Sequence, residues 1–344
     1  MDHVAIDLGG RESQLCVRRA NGTIVEERRV QTRQLPKVLA ALPPSRVIVE
    51  TCAEAFAIAD AARTAQHEVR VVPATLVKTL GVGARGLKTD RRDAQVLSEV
   101  SSRIELPSVH VPSLQSRELK SLMGARELLI ESRTAFINNV RGWLRTQLWR
   151  VRTGATTTFA DRVRGHATTQ ATPLPAHVER QLVMLDALAP QIKAADQQLT
   201  QFAKTHPVCQ RLMTIPGVGP VTAVRFLAAI DVPTRFASAH RVQSYLGLTP
   251  GEHSSSDRER RTGITKAGPA ALRKTLIQAA WSTIRSHPDD PMVRWAMQIA
   301  LRRGRFVAVV ALARKLVGVM FALWRDDATY QPTRAAAAEP APTR

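Results

Sequence analysis

Four carboxylates stand where an acidic group is hard to explain as simple surface charge. Asp7 follows the apolar run Val4-Ala5-Ile6, and Glu50 closes Arg46-Val47-Ile48-Val49-Glu50. A carboxylate within or at the end of a buried strand costs several kcal/mol (roughly 2–5) unless something pairs with it. Asp90 and Asp93 stand three apart in Lys88-Thr89-Asp90-Arg91-Arg92-Asp93-Ala94. A helix puts that spacing on one face. Acids gathered in this way repel one another unless cations hold them. A pair of Mg²⁺ ions, with Mn²⁺ as a substitute, would do so, and such a pair serves to cut and join phosphodiesters. The plainer alternative is four unrelated acids. Asp90 behind Thr89, for example, could simply open a helix and complement its dipole.

The surrounding elements are those that such a site needs. Residues 3–8, 13–19 and 23–30 read as strands, the last two joined by Asn21-Gly22, a hairpin signal. A helix near 33–41, a strand at 46–50, a helix at 53–66, a strand at 68–73 and a helix at 90–101 follow. The order β-β-β-α-β-α-β-α is that of a ribonuclease-H-like mixed sheet, in which strand-borne and helix-borne acids meet at one edge.

Beyond Pro107 and Pro112 the pattern turns helical. Residues 113–150 carry Leu119, Leu122, Leu129, Phe136, Val140 and Trp143 at helical spacing, with Arg117, Lys120, Arg126, Arg133, Arg141 and Arg145 on the other side. A segment of this length needs a partner helix, either 175–205 of the same chain or a second copy. Residues 151–174 read as a linker, and 207–325 as an all-α unit. The expected divisions are 1–108, 109–206, 207–327 and a disordered Ala/Pro/Thr-rich tail, 328–344.

Charge sets the class of partner. The 344 residues include 49 Lys and Arg against 29 Asp and Glu, a net charge of +20. Residues 1–100 hold 15 basic and 12 acidic residues, so nearly all of the excess lies beyond them. Such a balance implies a polyanion, DNA or RNA. No signal peptide, lipidation signal or long apolar span is evident, which implies a cytoplasmic, nucleoid-associated protein and no membrane partner. Cys16, Cys52 and Cys209 are scattered, without metal-ligand or disulfide spacing. Aromatic residues make up only 4%, so stacking on aromatic platforms is not the main mode of nucleic-acid contact.

Two further motifs lie beyond residue 206. Leu212-Met213-Thr214-Ile215-Pro216-Gly217-Val218-Gly219-Pro220-Val221 reads as helix-hairpin-helix. The backbone N–H groups at Gly217 and Gly219 would suit a DNA phosphate, or the glycines would merely permit a tight turn. The second motif runs from Gly247-Leu248-Thr249-Pro250 through His253-Ser254-Ser255-Ser256 to Gly263-Ile264-Thr265-Lys266-Ala267-Gly268 and Arg273. A serine hydroxyl there could attack a phosphate, with Arg258, Arg260, Arg261, Lys266 and Arg273 neutralising charge and His253 a candidate base. The rival reading is a flexible polar loop whose basic groups touch DNA.

Taken in order and spacing, these residues resemble the DEDD transposases of insertion sequences, the bridge-RNA-guided recombinases. The resemblance rests on Ile6-Asp7-Leu8-Gly9, Val49-Glu50-Thr51, Lys88-Thr89-Asp90 with Asp93-Ala94, Ile215 to Pro220, and Gly247 through Gly268 to Arg273. It implies a RuvC-like domain whose Asp7, Glu50, Asp90 and Asp93 bind Mg²⁺. It also implies a helical transposase domain that supplies a serine nucleophile, which falls at Ser255. Ser256 stands where the family has Gly, so Ser254 and Ser256 remain rivals. Thr51-Cys52-Ala53 departs from the family's Ala-Thr-Gly, which implies a local loop change. The family further implies recombination through a phosphoserine link, a structured guide RNA, and a homo-oligomer, dimer to tetramer, in which acids and serine come from different subunits. Two other classes compete: a RuvC-type structure-selective nuclease that uses water in place of serine, and a nucleic-acid-binding protein without catalysis.

Overall fold

The computed structural model describes residues 1–77, 89–255 and 258–332, with positions 252–261 given by their backbone. The chain divides into two compact units, Met1–Pro112 and Ser113–Arg344.

The first unit is built on β1 (His3–Asp7), β2 (Glu12–Arg18), β3 (Ile24–Gln31), β4 (Arg46–Glu50) and β5 (Glu68–Val72), with α1 (Leu35–Ala41), α2 (Ala55–Thr64), α3 (Ala74–Val77) and α4 (Asp90–Arg103). The sheet order is β3-β2-β1-β4-β5. β1 pairs antiparallel with β2 and parallel with β4, so the sheet is mixed, as expected. Strand alternation sorts the side chains. Val4, Ile6, Val47 and Val49 pack with Leu35 and Leu39 of α1 and Ile58 of α2. Ala5, Ile48 and Val72 pack with Leu97 of α4 and Leu106. Burial on both faces explains why β1 and β4 read as unbroken apolar runs.

The second unit contains α5 (Leu114–Thr146), α6 (Phe159–Thr169), α7 (Ala176–Thr205), α8 (Pro207–Leu212), α9 (Pro220–Ile230), α10 (Ala239–Tyr245), β6 (Pro250–Ser255), β7 (Arg258–Ile264), α11 (Ala270–Ser286), α12 (Pro291–Arg303) and α13 (Arg305–Arg325). The partner of α5 is α7 of the same chain. Arg126 pairs with Asp196 at 2.5 Å, Leu119 and Met123 cluster with Leu199 and Ala203, and Val140 and Leu144 cluster with Leu182 and Val178. Positions rising along α5 meet positions falling along α7, so the pair is antiparallel. The larger core is built around α9, α11 and α13.

Four expectations are corrected here. Residues 151–174 are not simply a linker: α6 buries Phe159, Ala160, Val163 and Ala167 against the α5–α7 pair. Thr-rich flanks and alanines on its inner face hid the period. The C-terminal unit is not all-α, since β6 and β7 form an antiparallel hairpin. Its residues are almost wholly polar and give no apolar alternation to read. A long apolar span does exist: α13 is long and apolar enough to cross a membrane by length and composition. It is instead the central helix of this core, with Leu312, Leu316, Val317, Met320 and Phe321 buried. Residues 328–332 of the expected disordered tail are fastened: the Tyr330 hydroxyl donates to both Asp290 carboxylate oxygens at 2.8 and 3.1 Å, and its backbone N–H donates to Thr214 Oγ1. Residues 333–344 lie outside the described residues.

Candidate active site

Asp7 and Glu50 end adjacent parallel strands of the sheet. The β1–β4 ladder pairs Ile6 with Val49, so its next step sets Asp7 beside Glu50, on strands about 4.8 Å apart. Asp7 is in phase with Ala5, and Glu50 with Ile48, which places both on the face that α4 covers. Helix α4 runs against β1: Ser101 Oγ bonds His3 Nδ1 at 2.8 Å, and Ser98 Oγ bonds the Sγ of Cys16, the register partner of Ala5. From Ser101 back to Asp93 the helix climbs ~12 Å. From His3 to Asp7 the strand advances ~13 Å. Asp93 therefore comes level with the ends of β1 and β4. Asp90 lies one turn further out and is exposed, while Asp93 is 6% exposed.

Local contacts hold each of these positions. Beyond Asp7, a Cβ on Gly9 would strike the Glu12 carbonyl, so only glycine fits. Beyond Glu50, the Thr51 N–H donates to the Val72 carbonyl, and Thr51 Oγ1 accepts from Ala74 N–H, both at 2.9 Å. That pair ties the end of β4 to β5 in spite of the unusual Thr51-Cys52-Ala53. Thr89 caps α4, its Oγ1 accepting from Arg92 N–H. On β3, Glu27 accepts from Arg91 Nη2 at 2.6 Å and from the Gln95 side chain. The Arg91 hydrogen bond foremost holds the Glu27 carboxyl below the ordinary glutamate value. Sequence reading missed this clasp. Its only trace was a lone Glu26-Glu27 pair in a strand facing an arginine-rich helix start.

An all-carboxylate set suits a hard divalent cation. Asp93 Oδ1 is buried and has no hydrogen-bond partner. Such an orphaned buried oxygen is costly, and a cation is the kind of partner it lacks. Among the described residues, however, no three Asp, Glu, His or Cys side chains stand close enough together to form a finished metal site. The acids share a corner without yet sharing one coordination sphere, and residues 78–88, including Lys88, lie outside the described residues.

The second unit carries the serines on the β6–β7 hairpin. Ser254 pairs with Glu259, Ser255 with Arg258, His253 with Arg260 and Glu252 with Arg261. Ser255 thus ends β6 opposite an arginine, while Ser256 lies outside the described residues. The base of the hairpin is a tight clamp. Thr265 N–H donates to the Thr249 carbonyl and Lys266 N–H to the Gly247 carbonyl. Gly247 and Gly268 have φ +67° and +69°, and a Cβ on either would strike backbone of the other limb. Lys266 also adopts a left-handed φ, +57°. Arg273 Nη1 donates to the carbonyls of Ala267 at 2.6 Å and Leu246 at 3.1 Å. The glycines and Arg273 therefore build the platform from which the serine strand projects, which gives Arg273 a structural task.

At the Gly-rich turn the two glycines differ. Gly217 has φ +78°, and a Cβ there would meet Thr283 and the Ala279 carbonyl of α11. Thr283 Oγ1 in turn donates to the Pro216 carbonyl at 2.9 Å. Gly217 is thus a packing glycine. Gly219 caps α9 in extended conformation with open space around it. A cleft of about 420 Å³ beside this turn is lined in part by Arg126, Arg225 and Lys274, with Glu127 and Glu131 opposing them. Arg225 is buried, paired through Nη2 with Glu127 at 3.2 Å, and its Nε has no partner. An arginine inside the apolar run Pro220–Ile230 was the signal for it, by the same logic that picks out Asp7.

Comparison with known proteins matches both units. A transposase model of the DEDD type fits residues 4–148, and one described as "Transposase IS116/IS110/IS902 family" fits 209–294. A probable family 20 transposase of Pseudomonas aeruginosa is 29% identical, covering 96% of this chain and 99% of its own length. The transposase for insertion sequence element IS1111A of Coxiella burnetii is 28% identical over 95% and 91%. The transposase for insertion sequence element IS1328 of Yersinia enterocolitica is 25% identical over 92% and 94%.

Proposed function

Since the chain belongs to the DEDD-type IS110/IS116 family of insertion-sequence transposases, and so acts on the DNA of a mobile element, we propose that it cuts and rejoins that DNA through a serine–phosphate link. The Ser255 hydroxyl attacks a DNA phosphorus. A Ser–O–P bond forms as Ser255 gives up its hydroxyl proton, the P–O bond to the neighbouring nucleotide breaks, and the departing oxygen takes up a proton to leave as a hydroxyl. Attack of a second DNA hydroxyl on the phosphoserine reverses the step and joins the new strand without ATP. Arg258, Arg260, Arg261 and Lys266 neutralise the phosphate. Asp7, Glu50, Asp90 and Asp93 would hold the divalent metal that the family calls for, Mg²⁺ or Mn²⁺. Such an ion supplies Lewis-acid stabilisation of charge on the phosphate and leaving oxygen.

The observation that supports the metal part of this reading is the buried Asp93 Oδ1 without a partner, on the helix that packs over the sheet face of Ala5 and Ile48. Acids and serine belong to separate compact units. That separation supports a composite site closed only in an assembled oligomer, with acids and hydroxyl from different subunits. Leu128 of α5 and Val183 and Met184 of α7 are exposed and fit the helical pair as the scaffold of a dimer or tetramer. On this reading residues 109–206 act as the scaffold and 207–327 as the strand-transferring domain. The +20 charge leaves ample capacity for a structured guide RNA beside DNA, in a cytoplasmic, nucleoid-associated protein.

The test is a denaturing gel of full-length protein with labelled element-end DNA and Mg²⁺. Wild type should leave a protein–DNA adduct, and Ser255→Ala none. An adduct that survives in Ser255→Ala and vanishes in Ser254→Ala moves the nucleophile by one residue. Cleavage without any adduct would establish the water-using nuclease instead.

A further inference from the structure

The corner between α12 and α13 presents seven consecutive exposed residues, Leu301-Arg302-Arg303-Gly304-Arg305-Phe306-Val307. Leu301 and Phe306 are each 82% exposed, far beyond what a lone surface apolar residue needs. Gly304, at φ +87°, turns the chain between the helices, with Leu301 in the last turn of α12 and Phe306 in the first turn of α13. Trp281 of α11 sets its ring against Phe306 at 6.4 Å and 82°, edge to face, which fixes the phenyl ring while leaving it open to solvent. Arg302, Arg303 and Arg305 make no ion pair or side-chain hydrogen bond among the described residues. No acid lies between Asp290, the cap at the far end of α12, and Asp326, beyond α13.

We infer that this corner is a DNA contact of its own, in which Phe306 and Leu301 pack against an opened base step while Arg302, Arg303 and Arg305 neutralise the flanking phosphates. The chemistry is that of an apolar wedge with basic shoulders. Apolar side chains cover base faces that have lost their stacking neighbours, and guanidinium groups hold the strand on either side. Charge selects the occupant. A second copy of this chain, at +20, would meet three unpaired arginines with like charge, whereas DNA meets them with phosphates. Exchange of strands, as proposed above, separates base pairs at the junction and so presents an opened step. The inference rests on the chain acting on DNA but not on the serine chemistry. Adduct formation reads Ser255, and the experiment below reads equilibrium binding without cleavage.

Full-length Ser255→Ala protein serves as the background, with two labelled 40-base-pair duplexes, one fully paired and one carrying a two-base mismatch at its centre with 2-aminopurine beside it. The mismatched duplex should bind more tightly. Adding Phe306→Ala should weaken that binding about five-fold or more and restore the 2-aminopurine fluorescence, while changing affinity for the paired duplex less than about two-fold. Replacing Arg302, Arg303 and Arg305 together by Ala should weaken both duplexes and lower the salt slope by about two to three. Three results would overturn the inference: mismatch binding unchanged by Phe306→Ala, loss of oligomer by Phe306→Ala in sedimentation (an interface between copies), or an effect confined to an RNA hairpin of equal length.

Discussion

At the residue scale, two side groups decide between structural and chemical roles. Asp93 is buried with one oxygen unpartnered, and a buried polar atom without a partner is costly. Asp93→Asn should leave metal-free protein as stable as wild type or up to ~2 kcal/mol more stable in denaturant titration, while abolishing the proposed recombination and the rise in Tm expected of wild type with Mg²⁺. A large loss of stability without metal would instead make Asp93 a structural residue. The glycines of the α8–α9 turn separate in the same manner. Gly217→Ala forces a Cβ into α11 at a left-handed φ and should cost at least ~2 kcal/mol. Gly219→Ala has room and an extended φ, so its stability should stay within ~1 kcal/mol. Any loss of DNA affinity in Gly219→Ala then reports on phosphate contact. Sequence weighed these two glycines together because both precede a helix; only the approach of α11 tells them apart.

At the element scale, helix α4 and the serine hairpin are the parts that must be held. The Glu27 carboxyl lies below its ordinary value because Arg91 bonds its charged form. The clasp on α4 is therefore complete above the ordinary glutamate value of 4.5 and is lost as the pH falls through the lowered one. Glu27→Gln should melt below wild type at pH 7, and thermal scans toward pH 3 should show the gap closing. The hairpin depends on Arg273, whose guanidinium binds carbonyls at its base. Arg273→Met should cost ~1–3 kcal/mol and suppress the adduct even though Ser255 is intact, whereas a pure phosphate contact would leave stability unchanged. The sheet and the long helices were legible because burial on both faces leaves β1 and β4 as unbroken apolar runs, and burial of one face imposes a helical period on α5 and α7. The β6–β7 hairpin was not, because it is fixed by backbone bonds and glycine geometry at its base, with no apolar face to print a pattern. Helix α6 was hidden by alanine and threonine, which carry little periodic contrast.

At the scale of the whole molecule, charge and division of labour dominate. With +20 net charge, DNA affinity of the full chain should fall ~10³-fold or more between 50 and 200 mM salt; a shallow slope would mean that few phosphates are touched. In the sequence Asp7 and Glu50 stood out because charge is expensive within or at the end of a buried strand, and Asp90 and Asp93 because their spacing sets them on one helix face. Their incomplete convergence was not legible, since it turns on side-chain placement at the start of α4. The central claim is that Asp7, Glu50 and Asp93 form one cation-binding corner. Calorimetric titration of Mn²⁺ into full-length protein tests it most directly. Wild type should bind, Asp7→Asn, Glu50→Gln and Asp93→Asn should each lose that binding, and Asp161→Asn, an exposed acid on α6, should keep it. Equal Mn²⁺ binding by wild type and all three corner variants would contradict the claim outright.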